Sequence, residues 1–142
     1  MPLLQALAAV GSGLVAGLFL AFSVSVMPGL RGLPAGQGAA AMRAFNDAIL
    51  NPVFLALFAG TALVSAALVV AVGVTGGSAG AAVGAALYLG GAIGVTAAVN
   101  VPMNIALAAD EPAWERYLVR WTRWNHVRAL VTAVATAFLV AS

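Results

Sequence analysis

The chain of 142 residues is 63% hydrophobic and 7% charged, and its mean hydropathy is +1.07. A soluble domain has about 45–50% apolar and about 25% charged residues, so this composition excludes a soluble globular protein. Because the chain has no cysteine, disulfides, cysteine-bound metals and thiol catalysis are excluded as well.

Three stretches of the chain contain no Asp, Glu, Lys or Arg, namely residues 1–30, 48–109 and 129–142. One bilayer crossing takes roughly 20 apolar residues, so the middle stretch is long enough for two, divided at the turn-like segment Thr75–Ser78. We therefore predict an all-α fold, a single domain over residues 1–142 that forms an up-and-down bundle of four membrane helices. These helices are predicted at about residues 3–26, 51–72, 79–101 and 125–141.

The loop between membrane helices 1 and 2 contains an amphipathic segment, residues 39–50. Its apolar residues Met42, Phe45, Ile49 and Leu50 recur at helical spacing. This pattern predicts a helix that lies in the membrane interface.

Polar residues gather at the start of membrane helix 2, where Asn46 and Asp47 precede Asn51 and Pro52. Asn is a favoured N-cap and Pro is tolerated in the first helical turn, so Asn51 is predicted to begin this helix. The alternative interpretation is that Asn46, Asp47 and Asn51 contribute to a binding site.

Membrane helix 3 has one polar stripe in an otherwise apolar sequence, formed by Thr96, Asn100 and Asn104 at intervals of four. Amides in hydrocarbon need partners, so the stripe either bonds neighbouring helices or lines a small polar cavity. Pro102 frees the backbone carbonyl of Ala98, which one of the amides is placed to satisfy. Both interpretations stay open.

Membrane helix 4 is predicted to extend into the second loop, because Pro112 suits a first helical turn and no breaker follows it. In this extension Trp114, Tyr117, Trp121 and Trp124 share one sector of the helix. The pattern favours an aromatic belt at the headgroup level, with a platform for a flat aromatic ligand as the alternative.

The entrance to membrane helix 4 holds Arg123, Trp124, Asn125, His126 and Arg128. His126 is the only histidine, and its usual pKa near 6.5 allows proton transfer at neutral pH. A single interfacial histidine is often structural, but ionisable groups sunk toward a membrane are functional candidates.

The orientation follows from the charged residues, which all lie in or beside the two loops that join helices 1 to 2 and 3 to 4. The positive-inside rule predicts that both loops are cytoplasmic and that both termini lie outside the cell membrane. The charged residues are Arg31, Arg43, Arg116, Arg120, Arg123, Arg128, Asp47, Asp110, Glu111 and Glu115.

Other features limit the partners. Glycines at small-xxx-small spacing, such as Gly13 with Gly17 and Gly80 with Gly84, predict close helix packing, either within one bundle or in a homo-oligomer. The sequence has no phosphate-binding glycine loop and no second histidine, so neither a nucleotide cofactor nor a metal is expected. Topology explains the arginines, so lipid is the expected partner and nucleic acid is not.

Four segments together resemble the anthrone oxygenase family, and the resemblance spans nearly the whole chain. The N-V-P-x-N and W-N-H-x-R patterns are its most specific parts. The segments are AFSVSVMPGLRGLP (21–34), AMRAFNDAILNPVFLALFAGTAL (41–63), GVTAAVNVPMN (94–104) and WERYLVRWTRWNHVRAL (114–130).

The resemblance implies a four-helix membrane protein that oxidises an anthrone to an anthraquinone with dioxygen and without an organic cofactor.

The use of arginine without lysine and the abundance of Ala, Gly and Val suggest a bacterial source. The alternative is a non-catalytic membrane protein that binds or transports a small hydrophobic molecule, or supports assembly of a complex.

Anthrone oxidation needs a base, an anion stabiliser and an apolar slot. His126 is the candidate base, Asn51, Asn100 and Asn104 are candidates for bonding the substrate oxygens, and Arg123 or Arg128 is the candidate enolate stabiliser. The full predicted binding set is Asn46, Asp47, Asn51, Thr96, Asn100, Asn104, Arg123, Trp124, Asn125 and Arg128.

Overall fold

The computed structural model describes residues 1–109 and 113–142, and this part of the chain is helical without strands. Four of its helices are long and apolar enough to cross a membrane. The chain is therefore a multi-pass membrane protein with a four-helix bundle, as predicted. The membrane helices are α1 (Pro2–Arg31), α3 (Pro52–Thr75), α4 (Ala79–Ala108) and α5 (Trp114–Ala141), and α2 (Ala35–Ile49) lies between α1 and α3.

The connection between α3 and α4 confirms the predicted division of the long apolar stretch. Helix α3 ends at Gly76, whose φ of 76° favours glycine, and Gly77 also has a positive φ of 157°. The Ser78 side chain then accepts a hydrogen bond from the backbone N–H of Ala81 at 3.3 Å and caps α4.

Helix α5 packs against α1 and α4, and α3 packs on the other side of the same two helices. Close approach depends on glycines: Gly84 faces the backbone of Ala135, Gly91 faces Val131 and Gly11 faces Thr61. These contacts lie within one chain, so the homo-oligomer stays a prediction.

Helices α1 and α4 continue past Pro28 and Pro102. Both are therefore longer than predicted, since their ends were expected near residues 26 and 101. A π-helical turn precedes each proline: Phe22–Val26 before Pro28 and Thr96–Asn100 before Pro102. The backbone N–H at the end of each turn donates to a carbonyl five residues back. Proline has no backbone N–H to donate. The wider turn shifts the pattern of backbone hydrogen bonds next to the proline, and the helix therefore continues past it.

Helix α2 begins at Ala35 and covers one end of the bundle, which we call the arginine-rich end. Its Met42 is fully buried among Met27, Leu107 and Tyr117, whereas Phe45 is 42% exposed. The amphipathic helix predicted for this loop is therefore present and packs on the bundle. Asp110, Glu111 and Pro112, including the predicted role of Pro112 in a first helical turn, lie outside the described residues.

The opposite end of the bundle, which we call the terminal end, holds both chain termini. The Gln5 side-chain amide donates to the carbonyls of Leu139 at 2.8 Å and Ser142 at 2.9 Å. Both termini thus lie on the same side of the bundle, as an even number of crossings requires.

Candidate functional site

The candidate site lies toward the arginine-rich end, around the buried side chain of Arg128 on α5. This side chain is 6% exposed. Its Nη1 donates to Thr96 Oγ1 of α4 at 2.9 Å, its Nη2 donates to Asn125 Oδ1 at 2.7 Å, and its Nε has no partner within the described residues. The hydrogen-bond acceptors seen here are neutral, so the guanidinium keeps a positive charge that they do not cancel. Such a charge inside a membrane bundle is costly and marks a functional candidate.

Two aromatic rings cover the guanidinium. Its carbon lies 4.3 Å from the centroid of Phe19 on α1 and 5.1 Å from that of Trp121 on α5. The negative faces of the rings attract the cation, and the attraction increases where water is excluded. The rings therefore stabilise the charge and also form an apolar boundary beside it.

Asn125 holds Arg128 in place and ties it to α1. Its Nδ2 donates to the carbonyl of Phe19 at 2.8 Å and to Ser23 Oγ at 2.7 Å, while its Oδ1 accepts from Arg128. Ser23 belongs to the π-helical turn of α1, where the helix widens before Pro28. Because both ends of the fully buried amide are occupied, Asn125 acts as a positioning residue.

Asn104 extends the polar layer toward the end of the bundle. Its Oδ1 accepts from the Tyr117 hydroxyl at 2.8 Å and from Trp121 Nε1 at 2.9 Å. The Asn46 side chain of α2 lies within hydrogen-bonding reach of the same tyrosine hydroxyl. Asn104 and Asn46 therefore orient the aromatic residues that border the arginine.

Asn100 lies on α4 between Thr96 and Asn104, and it differs from both of them. It is 1% exposed, and neither its Oδ1 nor its Nδ2 has a hydrogen-bond partner within the described residues. On α5, the buried Thr122 hydroxyl likewise lacks a partner there. An unsatisfied buried amide costs about 1–3 kcal/mol. Asn100 follows Thr96, which accepts from Arg128, by one helical turn, and this position makes it a candidate for bonding a ligand.

We call Thr96, Asn100, Asn125 and Arg128, together with the rings of Phe19 and Trp121, the Arg128 cluster. Of the predicted binding residues, the structure brings together four in this cluster and places Asn104 and Asn46 at its border. Three of its polar side chains, those of Asn100, Asn125 and Arg128, are buried by the surrounding helices, whereas Thr96 is partly exposed.

The other predicted site residues lie apart from this cluster. Asn51 is exposed and caps α3, since its Oδ1 accepts from the Phe54 N–H at 3.0 Å and its amide donates to the Ala48 carbonyl. Asp47, Arg123 and His126 are exposed, and Trp124 is 37% exposed. Position 126 lies on the opposite side of α5 from position 128, so the candidate base does not meet the unpaired amide of Asn100.

The aromatic residues at the start of α5 differ from the predicted lipid-facing belt. Trp114, Tyr117 and Trp121 are buried and stacked, with ring centroids 5.7 Å and 6.5 Å apart along the series. They form the core under α2. Only Trp124, the fourth member of the predicted sector, is partly open to the surroundings.

Sequence reasoning missed the contributions of Phe19, Ser23 and Thr122. Ser23 had a usable signal, because it is a hydroxyl in an apolar helix shortly before Pro28, just as Thr96 precedes Pro102. Phe19 and Thr122 had none, since their importance depends on which side chains face them. Among residues 1–109 and 113–142, no group of three or more His, Cys, Asp or Glu could hold a metal ion.

Comparison with known proteins adds one match. A family model described as "Anthrone oxygenase" matches residues 42–138, which is more than half of the chain. The matched range includes all the cluster residues of α4 and α5 and excludes Phe19 of α1. No curated protein matches the chain, and no solved structure matches it.

Proposed function

Because this chain belongs to the anthrone oxygenase family, we propose that it oxidises a flat, anthrone-type aromatic compound with dioxygen. The observation that carries the proposal is Arg128, a buried guanidinium whose hydrogen bonds within the described residues go to neutral groups. A fixed positive charge of this kind stabilises an anion that forms during a reaction.

The chemistry begins at the methylene group of the substrate. Loss of one proton gives a delocalised carbanion whose negative charge rests largely on the ring carbonyl oxygen. This anion passes one electron to dioxygen, and the two radicals combine into a carbon–oxygen bond and, with a proton, a hydroperoxide. Loss of water then gives the quinone, so one oxygen atom stays in the product and the other leaves as water.

The Arg128 cluster supplies what this reaction needs after the proton has left. Arg128 stabilises the enolate oxygen, the Asn100 amide bonds a neighbouring substrate oxygen, and Phe19 and Trp121 pack against the flat ring system. Asn125 positions Arg128 by its bonds to α1. Substrate entry requires α1 or α4 to move away from α5 at the π-helical turns that precede Pro28 and Pro102, where both helices contact α5 and are already irregular.

His126 stays the predicted base. Because it is exposed, the place where the substrate binds decides whether His126 can accept the proton directly. Direct proton transfer to His126 requires a substrate bound at the outer side of α5. Binding within the Arg128 cluster instead requires water or hydroxide as the proton acceptor. Arg123 and Trp124 belong with the first pose, and Arg128 and Asn100 belong with the second. Asn51 belongs with neither, because it caps α3, which packs on α1 and α4 rather than on α5.

The test is oxygen uptake, together with the absorbance of the quinone product, in proteoliposomes supplied with emodin anthrone. Empty vesicles give the spontaneous rate. We expect the wild type to exceed this rate and Arg128→Gln to lose about 100-fold of the enhancement, as when an electrostatic donor is removed from an active site. Arg116→Gln is the matched control, because it removes an exposed arginine from the same helix that belongs to neither pose.

The outcomes separate the alternatives. Loss of the enhancement in His126→Ala with retention in Arg128→Gln would assign the reaction to the outer side of α5. If the wild type matches empty vesicles, the oxygenase proposal fails, and retention of the anthrone without turnover would favour the non-catalytic binding protein.

We also propose that the arginine-rich end faces the cytoplasm, with both termini outside, from the positive-inside rule. The chain has no cysteine, so single cysteines report its topology without background. Gln37→Cys is expected to resist a membrane-impermeant thiol reagent in intact cells, whereas Thr75→Cys is expected to react. The opposite labelling would reverse the orientation.

A further inference from the structure

The outer face of α5 carries a row of arginines that the Arg128 cluster does not use. Arg116, Arg120 and Arg123 are exposed and, with Val119 and Trp124, line a surface groove of about 630 Å³. Glu115 lies at one end of this groove, so three arginines face one carboxylate. The groove therefore has a net positive charge and suits an anionic group.

An apolar groove of about 460 Å³ lies between α4 and α5. Its lining includes Leu87, Gly90, Gly91 and Val95 of α4 with Val127 and Val131 of α5. Gly90 is exposed, and no neighbouring atom lies within 4 Å of the position that a Cβ would take. The groove is thus open along the side that faces the lipid.

The two grooves follow one another along one face of α5. Val127 follows Arg123 by four residues and Arg120 by seven, and these intervals keep side chains on the same face of a helix. The distance from Arg120 to Val131 is about 16 Å along the axis at 1.5 Å per residue. Trp124 lines the first groove three residues before Val127 of the second, and an indole ring suits the boundary between headgroups and acyl chains.

From this arrangement we infer that the outer face of α5 is a binding site for an anionic phospholipid. The phosphate group lies on Arg120 and Arg123, and one acyl chain lies in the apolar groove beside Gly90. Charge complementarity selects the anionic lipid, because a zwitterionic headgroup brings its own cation to the arginines. The inference uses none of the residues of the Arg128 cluster, so it does not depend on oxidation at that cluster, and the lipid would compete only with a substrate bound at the outer side of α5.

The test is native mass spectrometry of the full-length protein in detergent, with phosphatidylglycerol and phosphatidylcholine of identical acyl chains at equal concentration. We expect preferential retention of phosphatidylglycerol. Each arginine near a lipid surface contributes about fivefold in affinity, so the double variant R120Q/R123Q is expected to lose roughly 20- to 30-fold. Arg31→Gln, an exposed arginine on α1 at the same end of the bundle, is the matched control and is expected to change the affinity by less than about twofold.

A second variant tests the acyl chain. A Cβ at Gly90 would have no neighbouring atom within 4 Å, so Gly90→Leu is expected to fill the open groove, leave the bundle intact and lower the affinity for phosphatidylglycerol about tenfold. Equal binding of the two lipids, or unchanged binding by R120Q/R123Q, would overturn the proposal. Unchanged binding by Gly90→Leu, or displacement of the lipid by an equal concentration of glycerol phosphate, would show a site for free phosphate and would also overturn it.

Discussion

Toward the terminal end the helices pack through small residues, whereas toward the arginine-rich end they pack around amides, aromatic rings and a buried arginine. Ala8, Ala81 and Ala85 are fully or almost fully buried in the first region. Two of its hydroxyls bond close by, since Ser12 Oγ donates to the Thr132 carbonyl at 3.2 Å and Thr136 Oγ1 donates to Ser12 Oγ at 3.0 Å. The buried hydroxyls of Ser65 and Thr132 have no partner within the described residues, but they are neutral and small. These contacts hold helices together with little electrostatic cost.

The difference between the regions shows which polar groups need an explanation beyond packing. In lipid, close approach of backbones is enough to hold a bundle, as the terminal half demonstrates. A buried guanidinium and the unpaired amide of Asn100 lower the stability of the bundle. A gain in function, rather than in stability, must therefore explain them. The proposed binding of an anionic substrate intermediate would supply that gain.

The largest expected effect on stability comes from breaking the close packing of the terminal half with Gly84→Val. A Cβ at Gly84 would lie 2.8 Å from the Ala135 carbonyl and 2.8 Å from the Leu139 side chain. Overpacking against backbone should lower the free energy of unfolding by about 3 kcal/mol, measured by denaturant titration in micelles. Gly17→Val is the control, because nothing lies within 4 Å of that position, and a similar loss there would contradict the packing explanation.

A smaller effect of opposite sign is expected at the arginine-rich end with Asn100→Leu. The substitution removes a buried amide that has no partner in the described residues, so the free energy of unfolding should rise by about 1 kcal/mol. The same variant should lose about tenfold of the oxidation enhancement, because the substrate loses a hydrogen bond.

Asn104→Leu is the matched control for that variant. It removes an acceptor that serves both Tyr117 and Trp121, so unfolding should become easier by about 2 kcal/mol. If the two leucine variants destabilise the protein equally, Asn100 has a hydrogen-bond partner of its own. Its amide would then not be available to bond a ligand.

An effect on stability alone is expected at the surface with Asn51→Ala. Loss of the cap on α3 should cost about 1 kcal/mol of unfolding free energy and leave oxidation of the anthrone unchanged. Asn51→Asp keeps an N-cap acceptor and should restore most of the stability. A large loss of activity in both variants would place Asn51 in the substrate site rather than at a helix end.

Much of the fold could be predicted because it follows from local properties of the chain. Charge-free apolar stretches fixed the number of crossings, Asn51 before Pro52 indicated the start of α3, and the glycines at 76 and 77 marked the turn. The helix ends near Pro28 and Pro102 could not be placed, because a proline ends a regular α-helix but not one that widens into a π-helical turn.

The sequence by itself determined that polar groups crowd one end of the bundle, and it named Thr96, Asn100, Asn104, Asn125 and Arg128 as candidates. Only the tertiary structure decided which of the neighbouring residues on α5 face inward. Both faces of the segment from Trp121 to Arg128 carry polar side chains, so periodicity alone leaves the rotation of the helix undetermined. The bonds from Asn125 to α1 fix that rotation, which buries Arg128 and turns Arg123 and His126 outward.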